Sequence, residues 1–162
     1  MPTEKKLTGY PSIDKPWLKY YSKEAINALL PEGTIYEYLW ENNKDHLDDI
    51  ALIYFGKKIT YGEMFENIDK AAKAFSAIGV KKGDIVTFAV LAFPETKFLF
   101  YALNKIGAVA NMVNVLSSAS DFKKYINEVN SKVFVCWNVF YKTATEMIKE
   151  TSAKKVVVIE PT

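Results

Sequence analysis

The sequence is poor in the residues that form disulfides and metal centres, since its 162 residues include one cysteine and one histidine. A single cysteine excludes a disulfide framework and predicts a reducing, cytoplasmic compartment. Cys136 lies inside an apolar run, where a buried thiol is expected rather than a reactive one. His46 could bind a metal only together with Asp48 or Asp49, so a solvated helix end is the expected role. We therefore predict no metal-binding residues and no cysteine or serine triad.

A strong charge of one sign is also missing. The chain has 21 lysine and arginine residues against 19 aspartate and glutamate residues, a net charge of +2. A surface that binds nucleic-acid phosphates normally carries a larger excess of cations, so nucleic acid is not an expected partner. No run approaches the roughly 18 apolar residues of a membrane span, and the charged first six residues lead into no apolar signal core. We expect a globular chain with no membrane span and no secretory signal.

The sequence pattern changes near Gly33. Residues 1–33 contain four of the six prolines and little periodicity, which predicts an extended N-terminal arm with one short helix near residues 22–29. A periodic domain over residues 34–162 follows. Since hydrophobic residues make up 49% of the chain, this domain can form a substantial core without disulfides or metal.

The periodic domain begins with a helix-start signal. Thr34 and Glu37 stand three residues apart, the spacing of a capping box. We expect the helix that follows to bury Ile35, Tyr38 and Leu39.

A hairpin and then an alternation of helix and strand periods come next. Residues 51–60 are typical of two short strands joined by a tight glycine turn. Apolar strands are then predicted at 85–90, 109–113, 133–137 and 156–159. Helices of crossover length separate these strands, which predicts parallel pairing with helices on both faces. The expected fold class is therefore α/β, a doubly wound, mostly parallel sheet preceded by a hairpin and the N-terminal arm.

A nucleotide site on such a sheet needs a glycine-rich turn directly after a strand, and no predicted strand has one. The segment 91–95 contains Pro94, which removes one backbone N–H from the turn. The pair Gly79 and Gly83 comes before a strand, and so lies at the opposite edge of the sheet. The aromatic run 98–101 could line an apolar channel, although aromatics at helical spacing usually belong to a core. We predict no catalytic and no cofactor-binding residues in this chain.

Several short motifs, taken in order, resemble the N-terminal part of the AMP-forming acyl-CoA synthetase and adenylation superfamily. Their order and spacing agree over about residues 34–162. The motifs are Ile59-Thr60-Tyr61-Gly62-Glu63-Met64, Ala71-Ala72-Lys73-Ala74-Phe75, Gly79-Val80-Lys81-Lys82-Gly83-Asp84-Ile85-Val86, Pro94-Glu95 and Leu103-Asn104-Lys105-Ile106-Gly107-Ala108-Val109. In the arm, Tyr10-Pro11-Ser12 and Lys15-Pro16-Trp17 resemble the entry segment of fatty-acid CoA ligases.

This resemblance implies a parent enzyme that uses ATP and Mg²⁺ to convert a carboxylic acid into an acyl-adenylate and then a coenzyme A thioester. A fatty acid is the expected substrate. The family's phosphate loop, adenine and ribose motifs, and catalytic lysine lie downstream of the matched part. The resemblance therefore implies an N-terminal subdomain that binds none of these cofactors by itself and is inactive alone. Its partners would be the remaining subdomains of the same chain. Ala92-Phe93 and Val115 depart from the family pattern, which carries asparagine and proline at the corresponding places.

The loop after the second predicted parallel strand is the candidate ligand contact, because open α/β sheets bind ligands at the carboxyl ends of their strands. The candidate residues are Asn114, Val115, Ser117 and Ser118, for contact with the acyl group or coenzyme A. The alternative is a purely structural turn. A freestanding flavodoxin-like binding or interaction module is the alternative for the whole chain. If the chain is a separated subdomain, an uncovered apolar face would favour self-association.

Overall fold

The computed structural model describes residues 7–29 and 32–161. These residues fall into two compact units, one within residues 7–32 and one over residues 33–161. The predicted arm and the predicted domain both include residues outside the described ranges. The first six residues, where no secretory signal was expected, also lie outside them. The assignment of residues 1–33 and 34–162 to separate domains stays a prediction.

The first unit contains three short helical segments. They are α1 (Pro11–Asp14), a 3₁₀ turn (Pro16–Tyr20) and α2 (Lys23–Asn27). The expected helix near residues 22–29 is confirmed, and Ser22 caps it by accepting a hydrogen bond from the Ala25 N–H at 3.2 Å. The expectation that the rest of the arm lacks regular structure is wrong. Pro11 and Pro16 each start a helical turn, because their fixed φ suits the first helical position.

The second unit begins with α3 (Ile35–Asn43), and the capping box that starts it is confirmed. The Glu37 N–H donates to the Thr34 hydroxyl at 3.1 Å, and the Thr34 N–H donates to the Glu37 carboxylate at 2.6 Å. The Thr34 N–H that donates to the carboxylate, and with it the Thr34 side chain, lower the pKa of Glu37.

The predicted buried face of α3 is wrong for two of its three residues. Ile35 and Tyr38 are each 58% exposed, whereas Tyr36 is buried and Leu39 is half-buried. Tyr36 packs edge-on against Phe65, at 6.3 Å between ring centroids. This helix has nine residues and apolar side chains on several sides, so its orientation depends on the elements packed against it. These elements pack against the side that carries Tyr36.

The predicted hairpin is confirmed as β1 (Ile50–Tyr54) and β2 (Lys57–Thr60), which pair antiparallel. Phe55 and Gly56 form the two-residue turn with φ values of 46° and 84°. Two positive φ values give the turn a twist that matches the strands. A second capping box, Thr60 with Glu63, starts the next helix, α4 (Tyr61–Ala77).

A four-stranded parallel sheet follows, and the predicted doubly wound fold is confirmed. Its elements are β3 (Ile85–Ala89), α5 (Pro94–Lys105), β4 (Val109–Met112), α6 (Ala119–Glu128), β5 (Val133–Trp137), α7 (Tyr141–Met147) and β6 (Lys155–Ile159). The strand order is β4-β3-β5-β6. The helix α7 is short, because 3₁₀ turns over Asn138–Phe140 and Ile148–Glu150 occupy both of its ends.

Each face of the sheet has its own apolar core. Val86, Phe88 and Val135 belong to a large cluster with α3, α4 and α5. Phe134 and Cys136 belong to a smaller cluster with α6 and α7. Alternate residues of a strand point to opposite faces, so the strands are apolar almost throughout. Across the described ranges, no helix has the length and apolar composition that crossing a bilayer requires.

Candidate functional site

Doubly wound sheets bind ligands at the point where the strand order reverses. Here β4 and β5 lie on opposite sides of β3, so the reversal point is the carboxyl edge between β3 and β5. Two segments leave the sheet at this point, residues 90–93 after β3 and the 3₁₀ turn Asn138–Phe140 after β5.

Aromatic rings fill this crevice. Phe93 is buried and packs edge-on against Trp137 at 5.5 Å and Tyr54 at 6.3 Å between ring centroids. Trp137 in turn packs against Phe140 at 6.3 Å. The following helix α5 begins with Pro94, so its first position offers no N–H. The crevice therefore lacks the flexible glycine turn, and one of the first-turn N–H groups, that a phosphate-binding helix start offers.

An apolar groove of about 380 Å³ lies beside the crevice, a size at the lower end of small-molecule sites. Its lining residues come from the end of β3, the first half of α5 and the end of β4: Val90, Leu91, Ala92, Thr96, Lys97, Phe100, Tyr101 and Met112. Lys97 is the one charged residue of this lining. The Thr96 hydroxyl already donates to the Leu91 carbonyl at 2.7 Å. The groove is therefore suited to an apolar group.

The predicted contact residues lie in the loop between β4 and α6. Asn114 is exposed, and its side-chain oxygen accepts from the Leu116 N–H at 3.0 Å, which closes a turn. Val115 and Ser117 are half-buried. Ser118 caps α6: its hydroxyl accepts from the Asp121 N–H at 3.1 Å and donates to the Asp121 carboxylate at 2.6 Å. Two of the four residues thus have local structural roles, and the loop follows the edge strand rather than the β3–β5 crevice.

The comparisons with known proteins agree on one family. A family model described as AMP-binding enzyme matches residues 39–161. This chain belongs to the AMP-binding enzyme family. A *Bacillus subtilis* protein named long-chain-fatty-acid–CoA ligase is 24% identical over 82% of this chain and 24% of its own length. A *Bartonella henselae* acetyl-coenzyme A synthetase is 37% identical over 60% of this chain and 18% of its own length.

Solved structures support the fold of this family member. A long-chain-fatty-acid-CoA ligase from *Archaeoglobus fulgidus* has a TM-score of 0.75 and 18% identity, covering 82% of this chain and 28% of the ligase. The chain spans about a quarter or less of the length of the curated relatives given above.

The sequence of this AMP-binding family member predicted only part of the groove. Phe98 of the aromatic run 98–101 is buried in the core, whereas Phe100 and Tyr101 line the groove. Lys97 lies three residues before Phe100 on α5, a spacing that places both on one helix face. Met112 comes from another strand, and no local signal linked it to α5.

The two remaining candidate residues from the sequence, His46 and Cys136, have surroundings that fit structural roles. Within the described ranges, no group of three or more histidine, cysteine, aspartate or glutamate side chains could hold a metal ion. His46 is exposed in a turn after α3, with its Nδ1 3.2 Å from the Asp49 carboxylate. Cys136 is fully buried, as predicted, and burial raises the pKa of its thiol to about 11.

Proposed function

We propose that this chain is the N-terminal subdomain of an ATP-dependent, AMP-forming ligase that joins a fatty acid to coenzyme A. The observation that carries the proposal is the family match over residues 39–161 on a doubly wound sheet. Relatives of both kinds match similar shares of this chain, 82% for the fatty-acid ligase and 78% for an acetyl-coenzyme A synthetase of Methanothrix thermoacetophila, so coverage does not separate the two substrates. The support for a fatty acid over acetate is the apolar lining of the groove at α5.

In the proposed parent reaction, a carboxylate and ATP give an acyl-adenylate and pyrophosphate, and coenzyme A then takes the acyl group and releases AMP. The described residues do not fit ATP and Mg²⁺. The crevice at β3 and β5 is filled by Phe93 and Trp137, and within the described ranges no acidic cluster suits a metal. We therefore assign no chemical step to this chain. Its part is to supply a rigid sheet and ligand-contacting loops.

The loop after β4 is the proposed contact for the acyl group or coenzyme A, through Asn114, Val115, Ser117 and Ser118. It lies at the carboxyl side of the sheet, where ligands of α/β proteins bind. In the longer protein, Asn114→Ala and Ser117→Ala should raise the KM for the acid or coenzyme A and leave the KM for ATP unchanged. Ser118→Thr is the matched control, because threonine keeps the hydroxyl that caps α6. Unchanged KM values for both alanine variants would contradict this contact.

The exchange of radioactive pyrophosphate into ATP tests the first, adenylate-forming step of the proposed reaction. We expect no exchange by residues 1–162 alone, and exchange by the longer protein with decanoate in preference to acetate or benzoate. Decanoate-dependent exchange by the purified short chain would contradict its assigned inactivity. Preference for acetate would contradict the proposal that the substrate is a fatty acid. Micromolar binding of flavin mononucleotide by the short chain would favour the alternative of a flavodoxin-like module.

A further inference from the structure

The apolar groove at α5 has two chemically distinct parts. Leu91 and Met112 are 45% and 50% exposed, and Phe100 and Tyr101 are half-buried, so apolar surface along the groove meets water. An alkyl chain that lies there would remove this surface from water, which is favourable. The other part is the exposed side chain of Lys97, which carries the charge of the lining.

Lys97 stands on the same side of α5 as the aromatic part of the groove. Phe100 and Tyr101 follow it at spacings of three and four residues, which places the three side chains on one helix face. About one helical turn separates Lys97 from Tyr101. A ligand with an anionic head at Lys97 would therefore have its tail along the two rings.

The Lys97 ammonium is available to an anion. In the part of the chain that the structure describes, Lys97 has no ion-pair partner. Glu95, two residues earlier, lines a different pocket. Residues 106–120, which supply Met112, contain no charged residue. The groove is therefore positive at one place and apolar elsewhere, which complements a single carboxylate on an alkyl chain.

We propose that the groove binds a fatty acid, with the carboxylate against the Lys97 ammonium and the alkyl chain along Phe100, Tyr101 and Met112. Its volume of about 380 Å³ is within the size range of small-molecule sites. A carboxylate at Lys97 is not placed to react, because the described residues do not fit ATP and Mg²⁺. The groove therefore holds the free acid before reaction. The choice of a fatty acid rests on the proposed function, whereas binding to the groove is measured without it.

Titration of the 162-residue chain with sodium decanoate, followed by ¹⁵N NMR, measures this binding and locates it. We expect a dissociation constant of about 1 mM, which is ordinary for a small ligand in an open groove. The shifted amides should lie in residues 90–101 and 109–113, which contain the lining. Decylammonium has the same alkyl chain with the opposite charge. It should bind about tenfold more weakly, because Lys97 repels it.

Variants of Lys97 separate the charge from the apolar contact. Lys97→Met keeps a long apolar side chain and should weaken decanoate binding about fivefold, the upper range for an exposed ion pair. Lys97→Glu should reverse the preference, so that decylammonium binds more tightly than decanoate. Lys73→Met is the matched control, because Lys73 is an exposed lysine of α4 outside the lining and its loss changes the net charge equally. This control should bind decanoate like the parent chain.

The absence of decanoate binding up to about 10 mM, tenfold above the expected constant, would overturn the proposal. Shifts centred on another surface, or a dissociation constant that Lys97→Met leaves unchanged, would also overturn it. If the longer protein exchanges pyrophosphate with decanoate but the short chain does not bind decanoate, the ligase function stands and the groove is the wrong site. Decanoate binding at the groove without exchange by the longer protein would support the site and contradict the ligase function.

Discussion

Replacing Ser131 with alanine tests the junction between β3 and β5. Ser131 is fully buried just before β5. Its hydroxyl oxygen accepts from the Thr87 N–H at 3.0 Å and lies 3.0 Å from both the Ile85 and the Val133 carbonyl, so that it can donate to either. The Ile85 carbonyl keeps another donor, the Lys132 N–H at 2.8 Å. The main loss in Ser131→Ala is therefore the acceptor of a buried N–H, which costs about 1–3 kcal/mol.

Urea unfolding followed by far-ultraviolet circular dichroism measures this loss as a lower midpoint with an unchanged slope. Ser152→Ala is the matched control. The Ser152 hydroxyl lies 3.0 Å from the Ser131 carbonyl and 3.1 Å from the Ile126 carbonyl and can donate to either. The Ile126 carbonyl also accepts from the Ser131 N–H, and Ser152 is half-buried. We expect the control to cost less than about 1 kcal/mol. Equal midpoints for the Ser131 variant and the parent chain would refute the reasoning, because water or a strand carbonyl would then satisfy Thr87.

Three further predictions concern single side chains. At pH 8 the native Cys136 thiol should react with iodoacetamide about 100-fold more slowly than the same thiol in the urea-unfolded chain, because burial raises its pKa from 9.0 to about 11 and so lowers the fraction of thiolate. The contribution of this raised pKa to the free energy of unfolding should be lost as the pH rises from 9 to 11. Equal rates in both states would contradict its burial. Gly107→Ala should lower the free energy of unfolding by more than Gly79→Ala. Both glycines have positive φ, which costs an alanine about 1–2 kcal/mol at either position. Only at residue 107 would the new Cβ also lie 2.9 Å from a lysine side chain. Equal urea midpoints for the two variants would contradict this steric effect. Lys105→Met should lower the same free energy by about 1 kcal/mol, because the ammonium bridges α3 and α4 while remaining 33% exposed. An unchanged midpoint would show that the bridge contributes nothing.

The Lys105 bridge explains the direction of one pKa shift. Burial opposes the charge of Lys105, but hydrogen bonds to Asp69 and Tyr36 outweigh it and raise the pKa of the ammonium. The Asn104 side-chain oxygen also accepts from the Tyr36 N–H at 2.7 Å. Two neighbouring residues of α5 therefore hold the start of α3. This contact is what turns Tyr36, rather than Ile35 and Tyr38, toward the core.

Local signals predicted the parts of the fold that depend on neighbouring residues. The capping box at Thr34 and the turn at Gly56 each need only a few adjacent side chains, and each was predicted correctly. The buried face of α3 depends on α5, some 68 residues away, and periodicity within the helix could not supply it. The same is true of Ser131, whose partner Thr87 is 44 residues away.

The candidate site, like the fold, was predicted from the sequence only where its features depend on neighbouring residues. The lack of a glycine-rich turn after β3 was readable in the segment that contains Pro94, and the structure adds that aromatic rings occupy the space. The groove could not be predicted as a unit, because Leu91, Lys97 and Met112 come from three different elements. The assignment of Asn114, Val115, Ser117 and Ser118 as ligand contacts stays a prediction, since the hydrogen bonds of Asn114 and Ser118 describe a turn and a cap.

The strand order has a consequence for the chain as it leaves the ribosome. Synthesis proceeds from the N-terminus, so β3, α5 and β4 emerge together and can pair at once. The other side of β3 stays open until β5, 44 or more residues after the end of β3, has been made. During that interval the nascent sheet exposes Phe88 and its neighbours at an unpaired edge. Binding by a chaperone that recognises extended apolar segments should therefore be strongest before residue 133 emerges and should fall once β5 has paired.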